Sequence, residues 1–214
     1  MFLEEAQWIR SAIAGLALES GSKVADVGSS DLFYRTRIQP HVHENIYAPL
    51  LKESVQVISC DAKHELGVDM VVDLAERETL LGHRFDMTFD LVLCANMLEH
   101  VHDRELAIAH LVSLLRPRGY LLLTVPHTYF YHEDPIDTMY RPTPDSLANL
   151  VKQKTQCVVI KECILPITQR QYYLMPVYPN ILLHNLPFFA YRAAWRWLIP
   201  RFRWKVTCLL LQMA

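Results

Sequence analysis

The sequence predicts an α/β fold, a doubly wound and mostly parallel sheet with helices on both faces. Three observations lead there. Strand-like and helix-like patterns alternate through the first 125 residues, the order that links parallel strands through helical crossovers. The run Phe89-Asp90-Leu91-Val92-Leu93-Cys94-Ala95 is almost continuously apolar, as a central strand buried on both faces requires. Residues 24–31, Val-Ala-Asp-Val-Gly-Ser-Ser-Asp, run from a short apolar strand through an acidic residue into a glycine turn. In an open α/β sheet this is where a nucleotide-like ligand meets the backbone at the carboxyl end of the first strand.

The elements follow in order. Residues 3–19 read as a helix with Ile9, Ile13 and Leu16 on one side, and Gly21 stops it. The first strand spans 24–27. Residues 31–43 form a polar connection with His and Arg, and 44–53 reads as helical. A second strand, 55–60, ends at Asp61, and a short third, 69–73, ends at Asp73, before a helical turn at 75–82. After the 89–95 strand, a helix over 103–115 turns Leu106, Ala109, His110 and Val112 to Leu115 toward the sheet. Pro117 and Gly119 end it, and Tyr120 to Val125 is the fifth strand. Right-handed crossovers then bring all the strand carboxyl ends to one edge. A long loop, 126–142, precedes a helix that Thr143 caps and that runs to 152. Residues 156–162 and 170–177 read as strands of a closing hairpin. The organisation expected is a main domain over 1–165 and a basic, aromatic-rich extension over 166–214.

Composition sets the bounds. A chain of 214 residues suits one domain with a sizeable core. At 51% hydrophobic and 21% charged it reads as globular, and a formal net charge of −2 argues against wholesale nucleic-acid binding. Five scattered cysteines without a Cys-x-x-Cys pair suggest reduced thiols and a cytoplasmic setting. Cys60 and Cys94, inside strand patterns, read as core filling. No secretory leader is expected from the first residues. No apolar run reaches the ~18 residues of a spanning helix.

The ordered set of the 24–31 loop, Asp61, Asp73, Leu98-Glu99-His100-Val101 after the fourth strand and Leu115-Arg116-Pro117-Arg118-Gly119-Tyr120 before the fifth resembles the class I S-adenosylmethionine (SAM)-dependent methyltransferases. The resemblance covers residues 20–150 and implies a Rossmann-like fold, SAM as cofactor and methyl transfer. It also implies roles. Gly28 admits the ligand to the backbone. Asp61 accepts the ribose hydroxyls, as strand-end carboxylates do in dinucleotide folds; the plainer reading is an exposed strand-end acid. Asp73 takes the adenine amino group and the Leu74 N–H meets the ring. Asp26 orients the glycine loop or meets the ligand's ammonium group, and Asn96 lines the methionine end. One departure stands out: Ser29-Ser30 occupies a place where glycine is usual, and Ser30 must either hold the cofactor farther out or supply a hydroxyl in place of a backbone contact.

For a hydroxyl acceptor the enzyme must supply a base, and histidine titrates in the right range. His100, His127 and His132 are the candidates, with His102 behind them. The pattern His132-x-x-Pro135-x-Asp137-x-x-x-Arg141-Pro142-Thr143-Pro144 is similar to a segment of a methyltransferase branch found among cell-envelope and polysaccharide genes. The plainer reading is that Asp137 and Arg141 pair to pin the loop and His132 caps it. A metal set would be Glu99, His100 and His132, but Asn96 stands where metal-binding relatives place a carboxylate, and Asn is a poor ligand for a hard cation; no metal is expected.

After Glu162 there is no acidic residue, while Arg170, Arg192, Arg196, Arg201, Arg203 and Lys205 add +6. Tyr191, Ala194, Trp195 and Leu198 fall on one helical stripe. Aromatics interleaved with Arg fit an interfacial membrane helix through 188–205; the other reading is a terminal element packed on the sheet or at a homodimer interface. The function expected is O-methylation of a small-molecule or saccharide hydroxyl, on an envelope glycan or a lipid-linked precursor. The alternatives are an inactive methyltransferase-like partner subunit and a metal-assisted methyltransferase acting on a phenol or an RNA end.

Overall fold

The computed structural model describes residues 1–76, 88–132, 136–169, 172, 196 and 198–214. The elements are α1 (Leu3–Ala14), β1 (Lys23–Val27), α2 (Pro40–Val42), α3 (Ala48–Lys52), β2 (Gln56–Asp61), β3 (Met70–Val71), β4 (Phe89–Ala95), α4 (Arg104–Leu114), β5 (Leu115–Thr128), α5 (Pro144–Lys152), β6 (Cys157–Pro166) and β7 (Lys205–Met213). Two wide helical turns, Tyr34–Ile38 and His43–Tyr47, flank α2. The strands form one sheet in the order β3-β2-β1-β4-β5-β7-β6. Pairing is parallel from β3 to β5, and β7 runs antiparallel to both β5 and β6. The expected Rossmann-like, doubly wound sheet is therefore present.

The strand order reverses between β1 and β4, and the crevice beyond their carboxyl ends is where ligands sit in such sheets. Two apolar layers support that edge. On one face Leu91, Leu93, Leu122 and Leu210 pack with Ile9 and Ile13 of α1 and with Ile46 and Leu50. On the other, Val92, Cys94, Leu121, Leu123 and Leu211 pack with α4 and α5 through Ala107, Ile108, Leu111, Leu147 and Val151. Each fully buried Leu contributes about 1.5–3 kcal/mol, so alternation along β4 holds both layers on one strand.

Several boundaries differ from expectation. α1 stops at Ala14 because the Gly15 N–H already closes onto Ala12 and Ile13. α4 buries Ala107, Ile108, Leu111 and Leu114 rather than the stripe through Leu106, Ala109 and His110. That helix is apolar nearly all round, so its pattern does not fix its phase; the Asp103 cap, accepting from the Leu106 N–H at 3.0 Å, begins it. Thr143 caps α5 as expected, accepting from the Ser146 N–H. Gly119 is required by close approach: a Cβ there would lie 2.9 Å from the Arg116 carbonyl oxygen and 3.1 Å from that of Phe89. The strand that closes the sheet beside β6 is Lys205–Met213. The expected partner at 170–177 lies outside the described residues except Tyr172, as do Tyr191, Ala194 and Trp195 of the apolar stripe. Among the described residues no helix is long and apolar enough to cross a membrane.

Candidate active site

The loop after β1 is fixed through its backbone. Gly28 has φ +82°, a conformation open mainly to glycine. A Cβ there would come within 3.2 Å of Met97 Cγ and Sδ, which places the loop directly against the turn after β4. The N–H groups of Gly28 and Ser29 donate to the Cys60 carbonyl at 2.8 and 3.0 Å. Ser30 adopts φ +58°, so it takes the left-handed backbone of the glycine it replaces, at a cost of roughly 1–2 kcal/mol. Three contacts hold it there. Asp61 Oδ2 accepts from the Ser30 N–H at 2.8 Å, Arg35 donates to the Ser30 carbonyl at 2.6 Å, and the Ser29 hydroxyl donates to the same carbonyl at 3.1 Å. Arg35 also reaches the Ser29 and Gly67 carbonyls and lies 4.9 Å from the Tyr47 ring centroid. It is only 4% exposed.

Asp61 ends β2 beside this loop, and its other oxygen accepts from the Lys63 N–H at 3.2 Å. Each carboxylate oxygen keeps a second lone pair, which leaves acceptors for a ribose diol. Asp73 follows β3 with its Oδ1 taking the Ala75 N–H at 2.8 Å, while the Leu74 side chain is fully buried. Asp26 is turned inward: its Oδ2 accepts from the Tyr47 hydroxyl at 2.5 Å, and that hydroxyl lies 3.2 Å from Ser59 Oγ. Burial lifts the Asp26 carboxyl to about 6, against the opposing Tyr47 hydrogen bond and the Arg35 charge, with Asp61 adding a smaller push upward.

Asn96, past β4, has φ +51°, and its amide donates to Glu5 Oε1 at 2.7 Å. The same oxygen accepts from Thr124 Oγ1 at 2.5 Å, and Oε2 takes the Phe2 N–H at 3.1 Å. Glu5 is fully buried. The first helix thus fixes the residue expected at the methionine end of the cofactor. Neither Glu5 nor Arg35 stood out in the sequence. Glu5 reads there as an acid in a first helical turn, and its partners lie 91 and 119 positions away.

On the segments after β4 and β5, His100 and His132 meet edge to face with centroids 5.3 Å apart. His100 Nδ1 lies 2.5 Å from the Ile136 carbonyl and so donates to it, which leaves Nε2 as the free lone pair, 3.8 Å from Glu99 Oε1. His132 Nδ1 stands 3.0 Å from Asp137 Oδ2, at ion-pair distance but off hydrogen-bond alignment, and the His132 N–H donates to the same oxygen. Arg141 grips Asp137 with both ends of its guanidinium, at 3.1 and 2.6 Å. Burial would raise the Asp137 carboxyl, but hydrogen bonds from Arg141, Met139 and His132 overcome it and hold it near 2. The pair pins the loop, as the plainer reading of the sequence had it, and it also anchors His132. Thr138 ties the loop to the turn after β4 through two hydrogen bonds to the Glu99 carbonyl.

His127 is not in that ring cluster; it lies on β5, with Nδ1 donating to the Pro142 carbonyl at 3.1 Å. His102 lines a surface recess with Asp103, Arg104, Glu105 and Leu150, apart from these loops. Glu99 is fully buried, and neither carboxyl oxygen has a hydrogen-bond partner; burial pushes it up to about 8. One ligand atom each from Glu99, His100 and His132 falls within 4.8 Å of the others, so among the described residues these three side chains could hold a metal ion.

A family model described as a methyltransferase domain matches residues 34–164. The chain belongs to the class I SAM-dependent methyltransferases. The fold agrees with solved structures. A Galdieria sulphuraria protein assigned as a sarcosine dimethylglycine methyltransferase aligns over 98% of this chain and 85% of its own, with TM-score 0.64 and 14% identity. An Archaeoglobus fulgidus SAM-dependent methyltransferase aligns over 99% and 94%, with TM-score 0.58 and 13% identity. The Burkholderia thailandensis 1,6-didemethyltoxoflavin-N1-methyltransferase, with bound 1,6-didemethyltoxoflavin and S-adenosylhomocysteine, aligns over 99% and 78%, with TM-score 0.53 and 16% identity. No curated protein sequence matches the chain. SAM is the cofactor of this methyltransferase, and the glycine and left-handed serine backbone with the strand-end carboxyls of Asp61 and Asp73 fits it.

Proposed function

We propose that this methyltransferase acts on a hydroxyl oxygen of a small-molecule or saccharide acceptor, borne by an envelope glycan or a lipid-linked precursor. The observation behind the reading is the Asp137–His132 arrangement on the loop after β5, held by Arg141 and set against His100. Bound SAM supplies a methyl group on a sulfonium centre, a good leaving group, so the protein's tasks are alignment and proton removal. His132 is placed to take the hydroxyl proton. Asp137 sits where it stabilises the imidazolium that results, and Arg141 keeps Asp137 ionised. Glu5 and Asn96 fix the methionine end, and Asp61 fixes the ribose. The test is an acceptor screen with methyl-labelled SAM over saccharides, polyols, phenols and amines. Label in an alkali-stable ether on a hydroxyl supports the reading; label on amines alone sinks it.

A second reading is supported by the convergence of Glu99, His100 and His132: a divalent ion held there would polarise an acceptor oxygen, as a phenol or a ribose diol would need. Glu99 has unsatisfied oxygens, and the Ile136 carbonyl orients the His100 ring so that Nε2 is available, the outer-shell arrangement common to metal-bound histidines. Dialysis against EDTA separates the two. Activity lost to EDTA and restored by Mg²⁺ or Mn²⁺ selects the metal-assisted enzyme.

A further inference from the structure

β6 carries a bulge. Val159 pairs with Leu211 and Lys161 with Leu210, so Ile160 is left without a partner in the ladder. One extra residue swaps the faces that the following side chains occupy. Before the bulge, Cys157 and Val159 pack in the layer of α4 and α5. After it, Lys161 reaches α1, with Nζ donating to Ser11 Oγ at 3.2 Å and lying 5.4 Å from the Trp8 ring centroid. Cys163 follows on the same face, directly opposite Cys208 of β7. Opposed residues of an antiparallel pair have Cα atoms about 4.5–5.5 Å apart, inside the separation of roughly 4.4–6.8 Å that a disulfide needs.

Both cysteines are free thiols, Cys163 half-buried and Cys208 buried. The neighbouring Cys208 thiol pulls the Cys163 thiol down, with burial opposing and Lys161 and Trp8 assisting, while Cys208, whose Sγ donates to the Val206 carbonyl at 3.8 Å, is pushed up by Cys163 and by burial. Burial pushes up Cys60, Cys94 and Cys157. Among the five cysteines, Cys163 therefore combines a favoured thiolate, partial access and a resolving thiol across the ladder, the arrangement of a redox-active pair.

We propose that Cys163 and Cys208 form a redox site that closes to a disulfide between β6 and β7 when the protein meets a hydroperoxide. The Cys163 thiolate attacks the outer peroxide oxygen; the O–O bond breaks, leaving a sulfenic acid on Cys163 and releasing the other oxygen as alcohol or water. The Cys208 sulfur then attacks the Cys163 sulfur. The S–S bond forms, the S–O bond breaks, and the hydroxyl leaves as water with the Cys208 proton. Two thiols are oxidised and one hydroperoxide is reduced. Cys208 also pairs with Thr124 on its β5 side, so the site lies one strand from the hydrogen bonds that join Thr124, Glu5 and Asn96.

The test uses the full chain, reduced, desalted and treated with hydrogen peroxide at neutral pH, then blocked with iodoacetamide and digested without reductant. A Cys163–Cys208 linked peptide that dithiothreitol removes is expected, lost in both Cys163→Ser and Cys208→Ala. In the untreated protein Cys163 is expected to alkylate faster than Cys157. Cys208 lies in the core, so Cys163→Ser, at the half-buried partner, keeps the test independent of folding. Peroxide treatment that leaves Cys163 reduced, or takes it to sulfinic acid without a linked peptide, overturns the proposal, as does alkylation of Cys163 no faster than that of Cys157.

Discussion

Asp61→Ala separates the two tasks assigned to that carboxyl. In the folded protein it accepts the N–H of Ser30 at 2.8 Å and that of Lys63 at 3.2 Å, and it is the carboxyl proposed to take the ribose. Losing charge-assisted hydrogen bonds to the two ribose hydroxyls weakens SAM by about 1–3 kcal/mol, or roughly 5- to 150-fold in Kd. Losing the Ser30 contact costs folding stability about 1–2 kcal/mol, because the left-handed serine at φ +58° no longer has its acceptor. A second substitution divides these effects. Ser30→Gly in the Asp61→Ala background removes the backbone strain and returns about 1 kcal/mol of stability, while SAM stays weakly bound. Calorimetric titration with SAM and its demethylated product gives the affinities, and urea unfolding gives the stabilities. Affinity of Asp61→Ala within about twofold of the parent, under ~0.5 kcal/mol, would refute the ribose assignment; full recovery of affinity with Ser30→Gly would show that Asp61 acts only through the loop.

Other outcomes follow from the same contacts. Glu5→Ala leaves the Asn96 amide and the Thr124 hydroxyl without their acceptor, so urea unfolding should show a loss of about 3 kcal/mol and SAM should bind more weakly; parent-like values for both would remove Glu5 from the site's support. His132→Ala should slow turnover about 100-fold or more with SAM affinity nearly unchanged, and full activity would leave the histidine a loop residue only. Asp137→Ala strands the Arg141 guanidinium, 12% exposed, and should destabilise the protein by about 3–5 kcal/mol, measured by denaturant midpoint. The Asp26 carboxyl titrates higher in the folded chain, about 6, than its ordinary 3.8, so its contribution to stability is full below pH 3.8 and is lost as pH rises through about 6. That loss is about 3 kcal/mol, and Asp26→Asn should flatten the pH dependence of unfolding across this window; an unchanged slope assigns it to other groups. Removing 188–214 would delete β7, so membrane contact through 188–205 is better tested by Trp195→Ser with Trp197→Ser in vesicle flotation, where unchanged binding would discard the interfacial role.

Much of the fold was legible because its signals are local. The run 89–95 is apolar on both faces since β4 has layers on both sides, and the glycine turn at 28 and the close approach at 119 are demanded by the chain's own backbone. The phase of α4 was not legible, because a helix apolar on most sides looks the same in several rotations until the sheet selects one. Nor was the closing strand: Lys205–Met213 reads as the end of a basic, aromatic tail, yet it inserts between β5 and β6, and its buried Leu209, Leu210 and Leu211 serve both layers.

The site divides the same way. Strand-end Asp61 and Asp73, the left-handed loop and the Asp137–Arg141 spacing are set by neighbours in sequence or by strand order, and the residues themselves announce them. Arg35 and Glu5 depend on partners from separate elements, and Glu99, His100 and His132, which the sequence already grouped as the candidate metal set, are brought within reach of one another by the fold. The Cys163–Cys208 pair depends on one bulged residue that changes which face a strand presents. By itself, the sequence determined the parallel strands β1 to β5 and where their carboxyl ends meet, because backbone propensity and alternation act over a few residues, and its resemblance to the class I methyltransferases implied the cofactor that edge accepts. The tertiary structure alone decided which buried acids, histidines and thiols confront one another, because those contacts are made across the sheet, where register and helix phase, rather than spacing along the chain, set the distance.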